Sequence, residues 1–464
     1  MTLEEIIKSI ETEPEAAMSA LKEKSITIPV WDGKDGLKSQ YDPKMHPVMD
    51  KALYPDKVLS GGGTEKVTRI VLDLQRLAVK RMTELVCGIP VKRVYKPQNE
   101  TQKKIASFIE AIYKKNRIDA VNVERLNLLY AGCEVITLWY GVEQENSLYG
   151  IPSKTKIRCV NYSPIYGDDL YPLFDAYGDM IALSIGYMRK QDGKTKQFFD
   201  TYTADKHIKL STESGGWRVI ENEDITIGKI PGIYMYRPTP IWEDTSGNVY
   251  EMEWALSRNG NYLRKNSKPL LVVTADEDIN YGQEKSGNEE FRTILQYPKG
   301  SNVNYVTWSQ AIDNLKFYMS ELRNLYFTQL QLPDWSYEKM SQQAISGESR
   351  KQLFIDCQLK VKDESGRLLE FFDRELNVVK AFAASNLPSS YKNDIESLET
   401  EMQITPFTIN DEKELINNLV NANGGRPIIS QRERIEQLGW SQDVDQTMKE
   451  IAEENTKDVF ENYE

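Results

Sequence analysis

Between Ser309 and Leu330 the chain carries a helical period whose apolar residues fall on more than one face. Ile312, Leu315, Phe317, Tyr318, Leu322, Leu325 and Leu330 spread around the helix instead of forming one stripe. At about 1.5 Å per residue such a helix is about 33 Å long. A helix apolar on several sides needs neighbours on several sides. Either the core of one chain surrounds it, or copies of the chain packed side by side do.

The surrounding pattern narrows the choice. Gly247 to Asn266 predicts a helix before it, and Ser346 to Ala384 a much longer one after it. The insertion 269–307 separates the first two, with Leu270–Thr274 and Thr293–Tyr297 as expected strands. Gln331 to Ala344 separates the second from the third. Pro333 lacks the N–H that a helix continuing from Leu330 needs, so the chain breaks there. Ser346 is a good N-cap for the next helix. The connecting loop holds Trp335, Tyr337, Lys339, Ser341, Gln342 and Gln343.

Upstream, residues 1–65 are loop-rich, with Pro29, Pro43, Pro47, Pro55 and the triplet Gly61-Gly62-Gly63. The triplet lacks the Gly-Lys-Ser/Thr ending that sets a lysine on a phosphate, and reads as a hinge. Glu65 to Cys87 shows helical spacing at Val67, Ile70, Val71, Leu74, Leu77, Ala78 and Leu85, ended by Gly88 and Pro90. Asn99–Tyr113 and Asp119–Ala131 predict two more helices. Residues 133–237 change period: short runs at 135–140, 157–160, 181–187, 198–203 and 217–220 predict an antiparallel β-rich part. Asp192-Gly193 is its hairpin signal. From Thr400 a strand and two short helices are expected, so the fold class is α+β.

The formal charge of −12 is concentrated at one end. From Ser385 onward seventeen Asp/Glu face seven Lys/Arg, leaving the first 384 residues near neutral. A chain that grips DNA by neutralising phosphates should be basic, so this one avoids nucleic acid or handles it without holding on. A solvated acidic surface accounts for these residues. No run of 18 apolar residues predicts a membrane span, and Met1-Thr-Leu-Glu-Glu lacks a signal-peptide pattern. Cys87, Cys133, Cys159 and Cys357 are scattered and read as free buried thiols.

Enzyme chemistry finds little to stand on. His46 and His207 are far apart and in no metal-ligand spacing. Gly167-Asp168-Asp169 and Glu243-Asp244 are acidic pairs of the kind solvated loops carry, and no nuclease or NTPase motif accompanies them.

Several segments resemble, in order, the portal family of long-tailed phages. Leu85-Val-Cys-Gly88-Ile-Pro90-Val is similar to the family's helix ending in a Gly-x-Pro step. Tyr113-Lys-Lys-Asn116-Arg-Ile-Asp119 and Leu129-Tyr-Ala-Gly132-Cys-Glu-Val resemble its helix pair. Ile227-Gly-Lys-Ile-Pro231-Gly-Ile-Tyr resembles the strand leading to its stem, and Ile345-Ser346-Gly347-Glu348-Ser349 the start of the long helix after its tunnel loop. Gly425 to Asp445, with Ile428-Ile-Ser430 and Val444-Asp445, resembles its crown segment. Glu433 departs from a threonine there, and Glu348-Ser349 from a small residue.

The resemblance, which covers about residues 65 to 455, implies an α+β portal fold assembled as a ring, with helical stem and crown, a β-rich wing and a small α/β clip insertion. The wing would span 1–240, the stem helices 241–268 and 308–330, the clip 269–307 and the tunnel loop 331–345. A long wing and crown helix would span 346–384, and the crown with the C-terminal region 385–464. It further implies a dodecamer at one capsid vertex of the virion, assembled in the host cytoplasm, for DNA packaging, retention and ejection. The expected partners are double-stranded DNA, the terminase motor, the head–tail adaptor and the major capsid protein. No catalytic residue, cofactor, metal or membrane is expected. Trp335, Tyr337, Lys339, Gln342 and Gln343 would line the DNA channel. Aromatic rings stack on single-stranded bases, whereas duplex DNA hides its bases, so steric contact is the expected mode. The alternatives are another virion structural protein, such as a minor head or collar component, and a nucleic-acid-processing enzyme.

Overall fold

The computed structural model describes residues 2–58, 62–191, 193–213, 216–266, 270–274, 280–285, 291–296, 302–306, 312–334, 355–406, 430–438, 441 and 444–461. Two compact units divide the chain: residues 1–334 with 356–407, and residues 335–355 with 408–464.

The first unit is built on two antiparallel sheets. Alternating residues over 133–237 make each strand two-faced, as the sequence predicts. The larger sheet holds β6 (Asp169–Phe174), β7 (Met180–Gln191), β8 (Lys194–Tyr202), β9 (Lys206–Glu213) and β10 (Gly216–Asp224), in the order β10-β9-β8-β7-β6. Gln191 pairs with Lys194 across the expected two-residue hairpin, and Gly193 takes φ +76° there. The smaller sheet holds β4 (Glu134–Asn146), β5 (Ser153–Tyr162) and β11 (Gly232–Tyr236), in the order β11-β4-β5.

The sheets bury their facing sides together. Ile136, Leu138, Tyr162 and Tyr234 of the smaller meet Leu183, Ile185, Tyr187, Phe198 and Tyr202 of the larger. Gly232 of β11 packs against Leu183 of β7: a Cβ there would lie 2.3 Å from Leu183 Cδ2, so a larger residue would have to displace that side chain. The other side of the larger sheet is covered by α1 (Leu3–Ser9) and α2 (Pro14–Glu23), whose Ile6, Ile10, Met18 and Leu21 pack on Phe199, Ile208 and Leu210. On β4 the alternate residues Val135, Thr137 and Trp139 are buried on the opposite side from Ile136 and Leu138.

Helices α5 (Glu100–Lys115) and α6 (Ile118–Gly132) lie close to their predicted ranges. Asn99 caps α5 by accepting from Gln102 N at 2.7 Å. The helix expected over 65–87 differs: α4 is Leu74–Cys87, and residues 66–73 belong to neither helix nor strand. Further on come α7 (Ser246–Asn266), α8 (Ile312–Leu330) and α9, described from Ile355 to Asn386. Within 269–307 the chain forms two ribbons, Leu270–Thr274 with Asn302–Val306 and Asn280–Lys285 with Phe291–Gln296, two more strands than predicted. After α10 (Lys392–Ser397), a strand at Glu399–Gln403 pairs with Lys92–Lys96 between α4 and α5. In the second unit Gln431–Leu438 and Val444–Glu461 are helical, the latter 18 residues long where a short helix is expected.

Candidate functional site

The side chains expected to face a channel, Trp335, Tyr337, Lys339, Gln342 and Gln343, lie outside the described residues, as does Ser346. The helix end that leads to them is described. Gln331 takes the left-handed conformation, φ +52°, and donates its N–H to Thr328 O at 3.1 Å. Leu332 N donates to Phe327 O at 3.2 Å, which completes a Schellman cap, usually built on glycine. Leu332 and Phe327 are both buried, the apolar contact that accompanies such a cap. Helix α8 therefore stops at Leu330 by its own cap, three residues before Pro333.

Two ion contacts fix this end. Arg323 grips Asp334 through two hydrogen bonds, 2.9 Å from Nε and 3.0 Å from Nη2. Lys360 of α9 donates from Nζ to the Leu330 carbonyl, a cation on the C-terminus of α8. Burial pushes the Lys360 ammonium down to about 8, helped by Arg237 and opposed by Glu364, to which Arg237 is paired.

α7 and α8 pack together, with Asn248 donating to Gln329 at 2.7 Å and Tyr318 to Glu251 at 3.0 Å. Residues 68–72 lie along α7 as a strap. Leu72 N donates to Glu253 Oε1 at 2.7 Å, Ile70 N to Ser257 Oγ at 2.8 Å, and Thr68 N to Asn261 Oδ1 at 2.6 Å. The two periods match: two extended residues advance about 6.6 Å and four helical residues about 6 Å. Alternate N–H groups thus meet acceptors at successive turns of one helix face. This is why Val67, Ile70 and Val71, spaced like one helix face, are not helical. Their β-branched side chains favour extended chain, and Glu253, Ser257 and Asn261 supply the partners a strand would otherwise offer. The i, i+4, i+8 acceptors were visible in the sequence; their use was not.

A second joint lies under the smaller sheet. Arg125 of α6 holds Glu375 of α9 through two hydrogen bonds, 2.6 and 2.9 Å, with both side chains buried. Trp139 Nε1 donates to the same carboxylate at 3.0 Å, and Asn122 Oδ1 accepts from the guanidinium at 2.5 Å. Phe371 lies under the guanidinium carbon at 4.5 Å.

The residues weighed for chemistry are dispersed. His46 is wholly buried, with Nδ1 2.7 Å from Glu253 Oε1 and Nε2 2.8 Å from Gln40 O, a structural position on the same Glu253 that holds the strap. His207 stacks on Tyr202 at 4.3 Å on the far sheet. Asp168 accepts from Ser163 N at 3.1 Å, and burial raises its carboxyl. Glu243 and Asp244 are exposed in a turn. Among the described residues no group of three His, Cys, Asp or Glu could hold a metal. The four thiols are free; burial raises Cys87, Cys133 and Cys159 to about 12 and Cys357 to about 11, which leaves little thiolate. Among the described residues no helix is long and apolar enough to cross a membrane.

The fold is thus an α+β chain, with a helical pair interrupted by β-ribbons. The profile of the family described as phage portal protein, SPP1 Gp6-like, matches residues 35–459. The chain belongs to this phage portal family. Two solved structures are similar to it. A chain from the neck of an empty GTA particle, computed with C6 symmetry, is 11% identical with a TM-score of 0.42. A chain from the virion of a native gene transfer agent particle is 9% identical with a TM-score of 0.40. Each alignment covers 91% of this chain and 98% of the other. No curated protein matches the sequence.

Proposed function

We propose that this chain is one subunit of a portal ring at a capsid vertex, through which double-stranded DNA is packaged, retained and ejected. The family match over residues 35–459 carries this reading. In it, 1–240 is the wing, α7 and α8 the stem, 269–307 the clip and 331–345 the tunnel loop. Helix α8 lends physical support. Its C-terminal Tyr326, Phe327 and Leu330 are buried within the chain, while Phe317 is 68% and Leu325 48% exposed. Apolar groups left open along one helix suit a neighbouring subunit. The ring is a dodecamer in the virion, assembled in the host cytoplasm. The clip docks the terminase motor and later the head–tail adaptor, and the wing meets the major capsid protein. The chain has no catalytic role of its own, and the packaging ATPase is a separate protein.

Imaging of the purified full chain by negative stain tests the reading. Rings with a central hole are expected. Only a species near 53 kDa at all protein and salt concentrations would overturn it.

A further inference from the structure

We propose that Lys229, Lys380 and Lys392 form a binding site for a phosphate group on the flank of the long helix α9. The three line one cavity of about 440 Å³, together with Thr226, Asn377 and a single carboxylate, Glu396. They come from three places in the chain: the turn before β11, the C-terminal part of α9, and the first residue of α10.

The charge arrangement is what calls for a ligand. Several cations around α9 have a carboxylate partner: Arg125 with Glu375, Arg237 with Glu364, Arg374 with Glu370. Lys96, beside the neighbouring cavity, pairs with Glu401. Among the described residues no ion pair joins Lys229 or Lys392 to a carboxylate, in a chain with 70 Asp/Glu against 58 Lys/Arg. Lys392 and Glu396 stand four apart on α10 in the Lys-first order, which favours pairing least. Lys380 is half-buried, and its ammonium donates to the Leu398 carbonyl at 2.6 Å, leaving two of its three N–H donors for the cavity. Burial and the nearby Lys229 both lower its pKa, against the opposing pull of Asp373. Lys229 held beside the half-desolvated Lys380 costs free energy until an anion joins them.

The lining selects the anion class. Three ammonium groups, the Thr226 hydroxyl and the Asn377 amide are point donors set around a volume, which suits a tetrahedral oxyanion better than a planar carboxylate. No aromatic ring lines the cavity, so no base can stack there and only the phosphate is read. A phosphodiester of duplex DNA and a free polyphosphate present the same chemistry.

The test uses the full chain and Lys229→Gln/Lys392→Gln, both exposed positions, with Lys154→Gln/Lys190→Gln as a charge-matched control. Probes are a fluorescein-labelled 20-bp duplex, inorganic triphosphate and poly-glutamate. Loss of two phosphate contacts should lower the slope of log K against log salt by about 2, and affinity at low salt about tenfold. The control should change neither. If duplex binding falls and triphosphate competes, the DNA backbone is the ligand. If only the triphosphate response is lost, the site serves free polyphosphate. Poly-glutamate competing better than triphosphate would overturn the phosphate assignment, and equal binding by site and control variants would overturn the site. Ring formation, followed separately by light scattering, reports on the portal reading and not on this one.

Discussion

Arg125 and Glu375, 250 residues apart in the chain, meet as a buried two-hydrogen-bond pair that ties α6 to α9. The pair is closed off by Trp139, Asn122 and the Phe371 ring, so neither charge reaches water.

Removing one partner should cost more than removing both. Arg125→Met alone leaves a buried carboxylate and should destabilise the fold by about 3–5 kcal/mol. Arg125→Met with Glu375→Leu should recover a large part of that loss. Urea denaturation of the four variants of the cycle measures it; equal losses for the single and double variants would refute the assignment.

The strap should fail at its tightest point. A Cβ at Gly260 would lie 3.0 Å from Thr68 Cγ2, so Gly260→Val should lift residues 68–72 off α7. Ser257→Ala should leave the Ile70 N–H unpaired at about 1–3 kcal/mol. Hydrogen exchange at Thr68, Ile70 and Leu72 is the readout, and unchanged protection in both variants would contradict the ladder.

Glu134 predicts a pH dependence. Burial raises its carboxyl to about 7 from 4.5; the Tyr234 hydroxyl, donating at 2.9 Å, opposes this, and Asp169 adds to it. The folded state therefore holds the proton more tightly than the unfolded one. Stability should fall as pH rises from about 4.5 to about 7 and stay lower above that. Glu134→Gln should remove this part, gaining on the order of 3 kcal/mol at pH 8 and nothing at pH 4. Melting of both proteins across that range decides it.

The α1–α2 cover should be separable from the sheet it protects. Deleting residues 1–24 exposes Phe199, Ile208 and Leu210, all buried beneath it. The truncated chain should keep its far-ultraviolet circular dichroism for β4–β11 but bind an apolar dye and aggregate. A truncated chain that stays dye-silent and dispersed would show the cover to be dispensable.

The loop beyond the α8 cap carries the channel proposal. Lys339, Gln342 and Gln343 changed together to alanine should leave ring assembly intact and alter DNA packaging or retention. Normal packaging and retention by such rings would remove these residues from the channel.

Much of this protein was legible from residue pattern. Short apolar runs announced β4, β5, β7, β8 and β10, because each such strand has a buried side; β6, β9 and β11 were not among the expected runs. Asn99 announced α5, and Asp192-Gly193 the hairpin. Gly425 to Asp445 and the earlier motifs pointed to the family because their order is written along the chain. What the sequence could not decide was anything that depends on a distant partner. Val67, Ile70 and Val71 have helical spacing, yet Glu253, Ser257 and Asn261 draw their backbone into a strap. Pro333 promised the end of α8, but Gln331 and Leu332 make it, with Lys360 brought onto the last carbonyl by folding. Arg125 and Glu375 each read as ordinary charges, and Lys229, Lys380 and Lys392 as unrelated ones. Local periodicity reports which side of an element is apolar; only the tertiary structure sets which polar atoms meet, because hydrogen bonds and charges act over a few ångströms in space whatever their separation in sequence.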